Sequence, residues 1–313
     1  MDLRQLAALT AIADHGSFSA AAKALFTVQS NVSAHIARLE RELGTTLVDR
    51  GRGTLTTEGL LVVGRARRIN SEMEAIYADL HSLDSDITGE ARLGVIGTTA
   101  RWLMPQALNA LRARHPRVRV VAVEGTTTSL VPQLIGGQVD LAILNLPVDD
   151  PDVATAPLFS EDLILLAHGD HPLAQYDEVP IAELAEHELL LSPPGSPLRD
   201  ELDDVAQRNG VRLRPLAEID GVRLMTSLTM EGFGATIIPS TAVPGWVKGN
   251  FKRVRVPGLP RRHVGLARRR RTVPSAPARA VAEVVTDVVI TKGERQLGVE
   301  VTARHDADAA GTF

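Results

Sequence analysis

One stretch of the sequence carries side chains suited to hydrogen bonding with nucleic-acid bases. From Gln29 onward, apolar residues recur at helical spacing and form one stripe: Val32, Ile36, Leu39 and Leu43. The opposite side of the same helix carries small polar and basic residues: Ser30, Ser33, Ala34, Ala37, Arg38 and Arg41. A helix with such an outer face fits the major groove, where base edges present donors and acceptors. The pattern predicts a recognition helix that ends at Gly44.

Two arginines follow in a glycine-rich turn. Arg50 and Arg52 alternate with glycines inside the short segment 45–56, whose apolar residues alternate as in a β-hairpin. On a β-wing, both guanidinium groups would reach phosphates or the minor groove. Taken alone, the segment is equally well interpreted as a surface hairpin with solvated arginines, and a preceding helix-turn-helix favours the wing.

A second group of candidate binding residues lies at the starts of three later helices. They are Thr98, Thr99 and Arg101 after one strand, Thr127, Thr128 and Ser129 after the next, and Ser196 and Arg199 after a third. Free N–H groups at helix starts favour anions. Ser and Thr are also ordinary N-caps that need no ligand, which explains any one such site better. Three sites at strand ends favour a ligand role for some of them, with Asn145 as a further polar contact. Phe233, Met225 and Leu228 are candidates for an apolar wall or for plain core.

The composition excludes several kinds of chemistry. The chain has 313 residues and no cysteine, so disulfides, thiolate catalysis and Cys-type zinc sites are absent. His168 and His171 form an HxxH, but they flank Gly169-Asp170 after a strand, which favours a turn over a metal site. We find no phosphate-binding loop, nucleophile elbow or paired catalytic carboxylates. We therefore expect no enzyme activity, no metal and no cofactor.

The charge and the N-terminus bear on location and partners. The net charge is −4, whereas residues 1–68 carry nine Lys or Arg against six Asp or Glu. This small positive excess is weak support for a polyanionic partner. The opening MDLRQLAALT lacks the basic start and apolar block of a signal peptide, and no apolar run is long enough for a membrane span. These features predict a cytoplasmic protein without a membrane partner.

The elements that must position these residues divide the chain into parts. Residues 1–50 are typical of three short helices, with a break at His15-Gly16-Ser17. A long helix is predicted from Thr57 to Leu83, with apolar residues at alternating spacings of four and three: Val62, Ala66, Ile69, Met73, Ile76, Leu80 and Leu83. Such a seam favours a dimer, and the alternative is an amphipathic helix docked on its own domain.

From Ala91 onward, strands alternate with helices, as in parallel sheets with crossover helices. Two such units predict two α/β lobes with a cleft between them, a common place for a ligand. We expect a DNA-binding domain over 1–58, a linker and dimerisation helix over 59–88, an effector domain over 89–291 and a flexible tail over 292–313. Lobe I would comprise about 89–160 and 265–291, and lobe II about 161–264.

Nearly the whole chain resembles the LysR-type transcriptional regulators. The resemblance is carried by SFSAAAKALFTVQSNVSAHIARLERELGTTLVDR followed by LTTEG, and later by HPRVRV, GGQVDLAIL, HGDHPLA and EGFGATIIP. It implies a multidomain α+β protein with a winged helix-turn-helix, a linker helix and a two-lobed effector domain like that of periplasmic binding proteins. It also implies a homodimer or homotetramer that binds double-stranded DNA, responds to a small molecule, which we expect to be anionic or carboxylated, and contacts RNA polymerase.

The resemblance also implies site residues. The helix-turn-helix would span Phe18 to Ala37, with these positions in the major groove: Gln29, Ser30, Ser33, Ala34, His35 and Arg38. Gln29 is suited to bidentate contact with adenine, while Arg50 and Arg52 would lie near the backbone or minor groove. Three positions depart from the family: Ala34 stands where many members have arginine, Val28 replaces the usual Thr or Pro, and the wing is about two residues short.

Two other functions fit parts of the pattern. A solute-binding or transport component would also use a two-lobed domain, but the missing export signal and the helix-turn-helix argue against it. An enzyme with dimerising N-terminal helices lacks a recognisable nucleophile and base. A ligand-responsive, DNA-binding regulator is therefore the predicted function.

Overall fold

Three helices and a two-stranded wing form the N-terminal head of the protein. A computed structural model describes residues 1–51, 53–82 and 87–304. In the head, the helices are α1 (Leu3–His15), α2 (Phe18–Ala24) and α3 (Gln29–Leu43), and the wing strands are β1 (Val48–Asp49) and β2 (Thr54–Leu55). Asp2 and Gln5 form a capping box at the start of α1, and Gly16 ends it in the left-handed conformation.

The apolar stripe of α3 closes the core of the head. Val32, Ile36 and Leu39 are fully buried against α1 and α2. The fourth predicted member, Leu43, is 41% exposed, because it is the last residue of α3 and the chain turns away at Gly44. The stripe therefore buries three residues and leaves the outer face of α3 to the solvent.

The long helix α4 (Thr57–Ser82) follows the wing and begins at the predicted residue. Its first turns complete the head core with Val63 and Ala66, both buried. Further along, Ile69, Ile76 and Leu80 are 39–60% exposed. The predicted seam is thus divided. Its first part packs in the core of the head, whereas Ile69, Ile76 and Leu80 in the later part are exposed to solvent. Leu83, its last predicted member, lies outside the described residues.

Lobe I is a sheet flanked by helices. Its elements are β3 (Gly89–Ile96), α5 (Gly97–Arg114), β4 (Val118–Gly125), α6 (Thr127–Ile135), β5 (Leu141–Leu146) and α10 (Ala276–Lys292). β3 lies between β4 and β5 and is parallel to both. α10 packs on α5 and closes the main apolar core with Val281, Val285 and Val289.

Lobe II repeats this architecture on a smaller scale. Its elements are α7 (Ile181–Leu184), β7 (Glu188–Leu191), α8 (Pro197–Arg208), β8 (Arg214–Glu218), α9 (Val222–Met230), β9 (Ala235–Pro239) and β10 (Phe251–Arg255). β7 lies between β8 and β9 and is parallel to both, while β10 pairs with the long strand described next.

Two connections join the lobes. β6 (Val153–His168) pairs with β11 (Arg261–Arg269) in lobe I and then with β9 and β10 in lobe II. The return connection runs from β10 to β11, and β11 already belongs to the lobe I sheet at Arg261, slightly before the predicted boundary at 264/265. In the described parts of the chain, no helix has the length and apolar character to cross a bilayer.

The end of the chain corrects the predicted flexible tail. β12 (Val299–Val301) pairs with β6, and its two valines pack against the lobe I core. The backbone N–H of Asp162 also donates to the carbonyl of Gly298, at 2.9 Å. Within this polar stretch, Val299-Glu300-Val301 alternate apolar and polar residues, and this short alternation is enough for a strand that pairs through its backbone. Residues 305–313 of the predicted tail lie outside the described residues.

Candidate nucleic-acid interface and ligand cleft

The outer face of α3 presents most of the predicted recognition residues together. Gln29, Ser30, Ala34 and Arg38 are exposed and Ser33 is half-buried. At 100° per residue these positions fall on one half of the helix, opposite the buried stripe. The face ends at Arg41, which is also exposed. One continuous surface therefore offers an amide, two hydroxyls, a methyl group and two guanidinium groups.

His35 lies away from this surface. It falls on the same side of α3 as Val32 and Leu39 and is half-buried, with its Nδ1 atom buried. The pKa of Asp2 at the start of α1 is lowered mainly by the Gln5 N–H that it accepts, and His35 lies near this carboxylate. The structure thus directs His35 towards the head itself, because its helical position belongs to the inner side.

The turn before α3 has features that the sequence reasoning missed. Val28 is the N-cap residue of α3 and makes no side-chain capping bond, because it has no oxygen. Phe26 has a positive φ of 52° and its side chain is 98% exposed. Leu25 and Val28 are also exposed, so three apolar side chains lie beside the start of the recognition helix. Valine at position 28, where the family usually has Thr or Pro, was the signal in the sequence that the side-chain cap of α3 is missing.

Glu40 connects the wing to α3. Its Oε1 atom accepts the backbone N–H groups of Leu47 at 2.9 Å and Val48 at 3.2 Å. Its Oε2 atom is 3.4 Å from Arg50 Nη2. Arg50 therefore lies at the base of the wing beside α3, with about half of its side chain exposed. Arg52, the second predicted wing residue, lies outside the described residues.

A cavity of about 540 Å³ lies between the two lobes. It collects five of the residues predicted from helix starts and strand ends: Thr98, Arg101, Thr127, Ser129 and Asn145. Other lining residues were not predicted, and they include Gly97, Glu124, Gly221, Val222, Arg223, Ala242 and Arg262. The cavity therefore has polar groups from lobe I, from lobe II and from the strand β11 that joins them.

At the back of the cleft, a buried ion pair links the lobes. Glu161 on β6 is fully buried and pairs with Arg262 on β11 through Arg262 Nε at 3.0 Å and through Nη2. Arg262 Nη2 also donates to Thr98 Oγ1 at 2.7 Å. On the other side, Glu161 Oε2 accepts the backbone N–H of Thr241 at 3.0 Å. The pair thus touches the start of α5 in lobe I and the segment after β9 in lobe II.

Two further contacts cross the mouth of the cleft. Arg101 Nη1 donates to the carbonyl of Ala242 at 3.2 Å, and its guanidinium lies 5.3 Å from the centre of the Trp246 ring. Glu124, near the end of β4, forms an ion pair with Arg223 on α9. Arg101 and Glu124 belong to lobe I, while their partners belong to lobe II, so both contacts hold the lobes together.

Asn145 carries the clearest unused polar atom of the cavity. Its backbone N–H donates to Thr127 Oγ1 at 3.0 Å, whereas its Oδ1 atom is buried without a hydrogen-bond partner in the described residues. Buried polar atoms normally have partners, so this oxygen has capacity for a ligand or water. Ser129 differs, because it forms a capping box with Thr126 that occupies its hydroxyl. The capping alternative raised for these helix starts accounts for Ser129.

The structure does not bring five of the predicted ligand residues to the cavity. Thr99 is fully buried in lobe I, Thr128 is exposed outside the cavity, and Phe233 is 63% exposed. Ser196 donates to its own turn at Pro193. Arg199 is held by Asp203 at 2.8 Å, Glu218 at 3.2 Å and the Ser192 carbonyl at 3.0 Å. The start of α8, the third predicted ligand site, therefore has a structural role in lobe II. Its Arg199 bonds to α8 itself, to β8 and to the loop after β7.

The HxxH residues are accounted for by local structure. His168 ends β6, and His171 Nδ1 accepts the N–H of Leu173 at 3.2 Å to cap a short helical turn. Burial, together with the nearby His187, lowers the pKa of His171. Among the side chains that the structure describes, no three His, Asp or Glu residues cluster as a metal site would require.

Comparisons with known proteins cover both halves of the chain. The family described as the bacterial regulatory helix-turn-helix protein of the lysR family matches residues 3–60, and the LysR substrate binding domain matches residues 84–289. A probable hydrogen peroxide-inducible genes activator of Mycobacterium leprae is 33% identical over 92% of this chain and 94% of its own length. The DNA-binding transcriptional dual regulator OxyR of Escherichia coli K12 is 30% identical over 92% of this chain and 95% of its own.

A solved structure has the same arrangement. A cysteine-to-aspartate variant of full-length OxyR from Pseudomonas aeruginosa superposes with a TM-score of 0.73 at 25% identity, covering 92% of this chain and 94% of that one. The order of head, linker helix and two lobes is therefore common to both proteins.

Proposed function

We propose a mechanism that starts from one premise: this chain belongs to the LysR family of DNA-binding transcriptional regulators, in which an effector domain follows the helix-turn-helix. In this proposal the exposed face of α3 reads base edges in the major groove, with Gln29, Ser30, Ser33, Ala34 and Arg38 as the contacts. Arg50 and Arg52 contact the backbone or the adjoining minor groove.

The uncovered part of α4 gives the proposed dimer contact. Ile69, Ile76 and Leu80 are exposed on a helix that the head covers only at its first turns. Pairing of two such helices would bury this stripe and place two heads on one DNA duplex. A tetramer would double that arrangement. We place the protein in the cytoplasm, where DNA and RNA polymerase are its further partners.

The cleft is the proposed effector site. The observation that supports it is the convergence of Thr98, Arg101, Asn145 and Arg262 on one cavity between the lobes, with the unused oxygen of Asn145 among them. Guanidinium groups beside a helix start favour a small anionic or carboxylated molecule. A hydroxyl or N–H group on the same molecule would donate to the Asn145 oxygen. The molecule would bind without covalent change and shift the equilibrium between open and closed lobes. That shift would in turn change how the two heads are arranged on DNA. No catalytic step is needed for this role.

The cysteine count separates this proposal from a peroxide response through a thiol. The names of the relatives refer to hydrogen peroxide, and the solved OxyR protein carries an altered cysteine. This chain has no cysteine at all. Reversible oxidation to a sulfenic acid or disulfide requires a thiolate, so this route is closed here. We therefore expect millimolar-range peroxide to leave operator affinity unchanged, which a gel-shift titration would measure.

Ligand binding to the cleft tests the proposal. A panel of small carboxylates and phosphates is screened by thermal shift, and hits are measured by calorimetry. Asn145→Ala and Arg101→Ala should weaken a hit about tenfold or more, because each removes a polar partner worth roughly 1.5 kcal/mol. Thr128→Val, an exposed threonine just outside the cavity, is the matched control. Equal affinity in all four proteins would contradict the assignment of the site.

Footprinting across the genome with the purified protein would identify the operators. Particular attention belongs to the divergent promoter of its own gene, where operator symmetry would show whether two heads bind together.

A further inference from the structure

Glu124 occupies an unusual position for an exposed carboxylate. It lies one residue from the end of β4 in lobe I, and its partner Arg223 lies on the second residue of α9 in lobe II. About half of the Glu124 side chain and two thirds of the Arg223 side chain are exposed. The pair crosses the mouth of the cleft, and both residues line the cavity. An ion pair in this place joins the lobes at a position that solvent reaches.

The same carboxylate rests on the start of α5. A Cβ atom added to Gly97, the first residue of α5, would lie 2.7 Å from Glu124 Oε1 and 3.7 Å from Arg223 Nη2. The N-cap residue of α5 is Ile96, which supplies no capping side chain. A carboxylate is favoured near the free N–H groups of a helix start. Glycine at 97 leaves the space in which the Glu124 carboxylate lies.

We propose that the Glu124 carboxylate is a built-in substitute for the carboxylate of an effector, and that it holds the lobes together until an effector displaces it. This inference rests on the proposed function of the cleft. An incoming carboxylate takes the place beside Arg223 and the start of α5, and the Glu124 side chain turns out into the solvent. One carboxylate replaces another, so the charge of the site is unchanged by the exchange. A neutral or cationic molecule cannot form the ion pair with Arg223 and therefore does not take the place of Glu124.

The tryptophans provide a direct readout of lobe contact. The chain has two, of which Trp102 is 3% exposed and Trp246 is 68% exposed. Acrylamide quenching in the full-length protein therefore reports mainly on Trp246. Because Trp246 in lobe II lies against Arg101 of lobe I, separation of the lobes uncovers the face of its ring that Arg101 covers. The signal needs no label and no knowledge of the effector.

Four variants test the ion pair with this signal. Glu124→Gln and Arg223→Gln each remove one charge, and the exchanged pair Glu124→Arg with Arg223→Glu restores attraction. Gly97→Ala keeps both charges but places a methyl group where the carboxylate lies. Exposed ion pairs contribute roughly 0.2–1 kcal/mol, so the open population should rise about 1.4-fold to fivefold in the single variants. The exchanged pair should return most of the way towards the wild-type quenching, because the ion pair is restored but an arginine at 124 loses the favourable contact of a carboxylate with the start of α5. Gly97→Ala should raise the quenching less than Glu124→Gln does, because the end of the Glu124 side chain can shift aside.

Glu178→Gln is the matched control. Glu178 pairs with Arg255 within lobe II, and the two side chains are 46% and 72% exposed, close to the values of the Glu124–Arg223 pair. Loss of this pair should leave Trp246 quenching unchanged. If Glu124→Gln also leaves it unchanged, or if the exchanged pair behaves like the single variants, the ion pair does not hold the lobes and the proposal is overturned.

Sodium acetate tests the exchange of carboxylates. Replacing sodium chloride by sodium acetate at constant ionic strength should raise quenching in the wild type towards the level of Glu124→Gln, with no further rise in that variant. Equal quenching in chloride and acetate would overturn the exchange. These outcomes are independent of the calorimetric test of the cleft, because ligands can bind beside Asn145 whether or not Glu124 is displaced.

Discussion

The head and the cleft assemble their binding surfaces in opposite ways. On the head, the proposed contacts lie on α3 and the wing, within the segment from Gln29 to Arg52. In the cleft, the lining residues come from separate segments between Ile96 and Arg262, which lie on both lobes and on the strand that joins them. The head surface is therefore fixed by the period of one helix, whereas the cleft depends on the whole topology.

The two regions also differ in how their charges are held. Arg38 and Arg41 on the head are exposed to solvent, where a phosphate or base can reach them. At the cleft, Glu161 is fully buried and its cation is supplied by a different strand. Removing one partner of a buried ion pair lowers the free energy of unfolding strongly, because the remaining charge is buried away from water without a counter-charge. Removal of a charge from the Glu161–Arg262 pair should therefore act on stability, whereas removal of an exposed charge on the head should act on affinity.

Removal of Arg262 should have the largest effect on stability. Arg262→Ala leaves the buried Glu161 carboxylate without its cation, and we expect the free energy of unfolding of the effector domain to fall by about 3–5 kcal/mol. Urea unfolding of the full chain, followed by circular dichroism, measures this. Adding Glu161→Gln to Arg262→Ala should recover part of the loss, because the neutral amide needs no cation. Arg255→Ala, at an exposed ion pair, is the control and should cost at most about 1 kcal/mol. Equal losses in Arg262→Ala and Arg255→Ala would remove the contrast between the two regions.

The elements of the fold were largely readable from the sequence. The spacing of apolar residues and Gly44 predicted α3, and α4 begins at the predicted Thr57. Both depend on local periodicity, which a sequence displays directly. Local patterns were less informative at chain ends and between domains. Val299-Glu300-Val301 alternate apolar and polar residues, but three residues are too short a run to predict a paired strand. The first turns of the α4 seam pack on the head, which the seam pattern alone does not indicate.

The cleft was predicted only in part for the same reason. Thr98 lies two residues after β3 and Asn145 is the last residue but one of β5. The ends of both strands meet at the cavity, so the position of both residues could be inferred. Thr99 is the next residue along and points into the core, because neighbouring helix positions differ by about 100°. Arg262 lines the cavity from β11, the strand that joins the lobes, and Arg223 lines it from α9 in lobe II. No local pattern marks them, because only the paired strands bring them near Thr98.

Gln29 tests the other side of the comparison. Gln29→Ala should weaken binding to an operator by about 1–3 kcal/mol and leave the unfolding midpoint unchanged, because the side chain is exposed and its proposed partner is a base. Fluorescence anisotropy with the operator and with a scrambled duplex measures the difference. Gln175→Ala, an exposed glutamine in lobe II, is the control. Equal loss on both duplexes would show that Gln29 contacts the backbone and carries no sequence information.

A missing cap on the head predicts a smaller gain. Val28→Ser should stabilise the head by about 1 kcal/mol, because the serine hydroxyl can accept the N–H of Ser30 or Asn31 at the start of α3. Thermal unfolding of the full chain, followed by a probe of the head transition, measures the gain. Val28→Ala neither caps nor adds a polar group and should give no gain. If Val28→Ala raised the stability of the head as much as Val28→Ser does, the gain would come from removing the exposed apolar valine side chain and not from the new cap.

The smallest predicted effect concerns the backbone of the turn before α3. Phe26 has a φ of 52°, a region that bulky side chains rarely adopt, and its ring is 98% exposed, so almost no burial offsets the strain. Asparagine tolerates this conformation better, and Phe26→Asn should stabilise the head by about 0.5 kcal/mol. Leu25→Asn is the control, because Leu25 has an ordinary φ of −90° and gains nothing from asparagine. If Phe26→Asn instead weakens operator binding while Leu25→Asn does not, the exposed ring contributes to the reading surface, and the head would then rely on an aromatic contact that the periodicity of α3 does not contain.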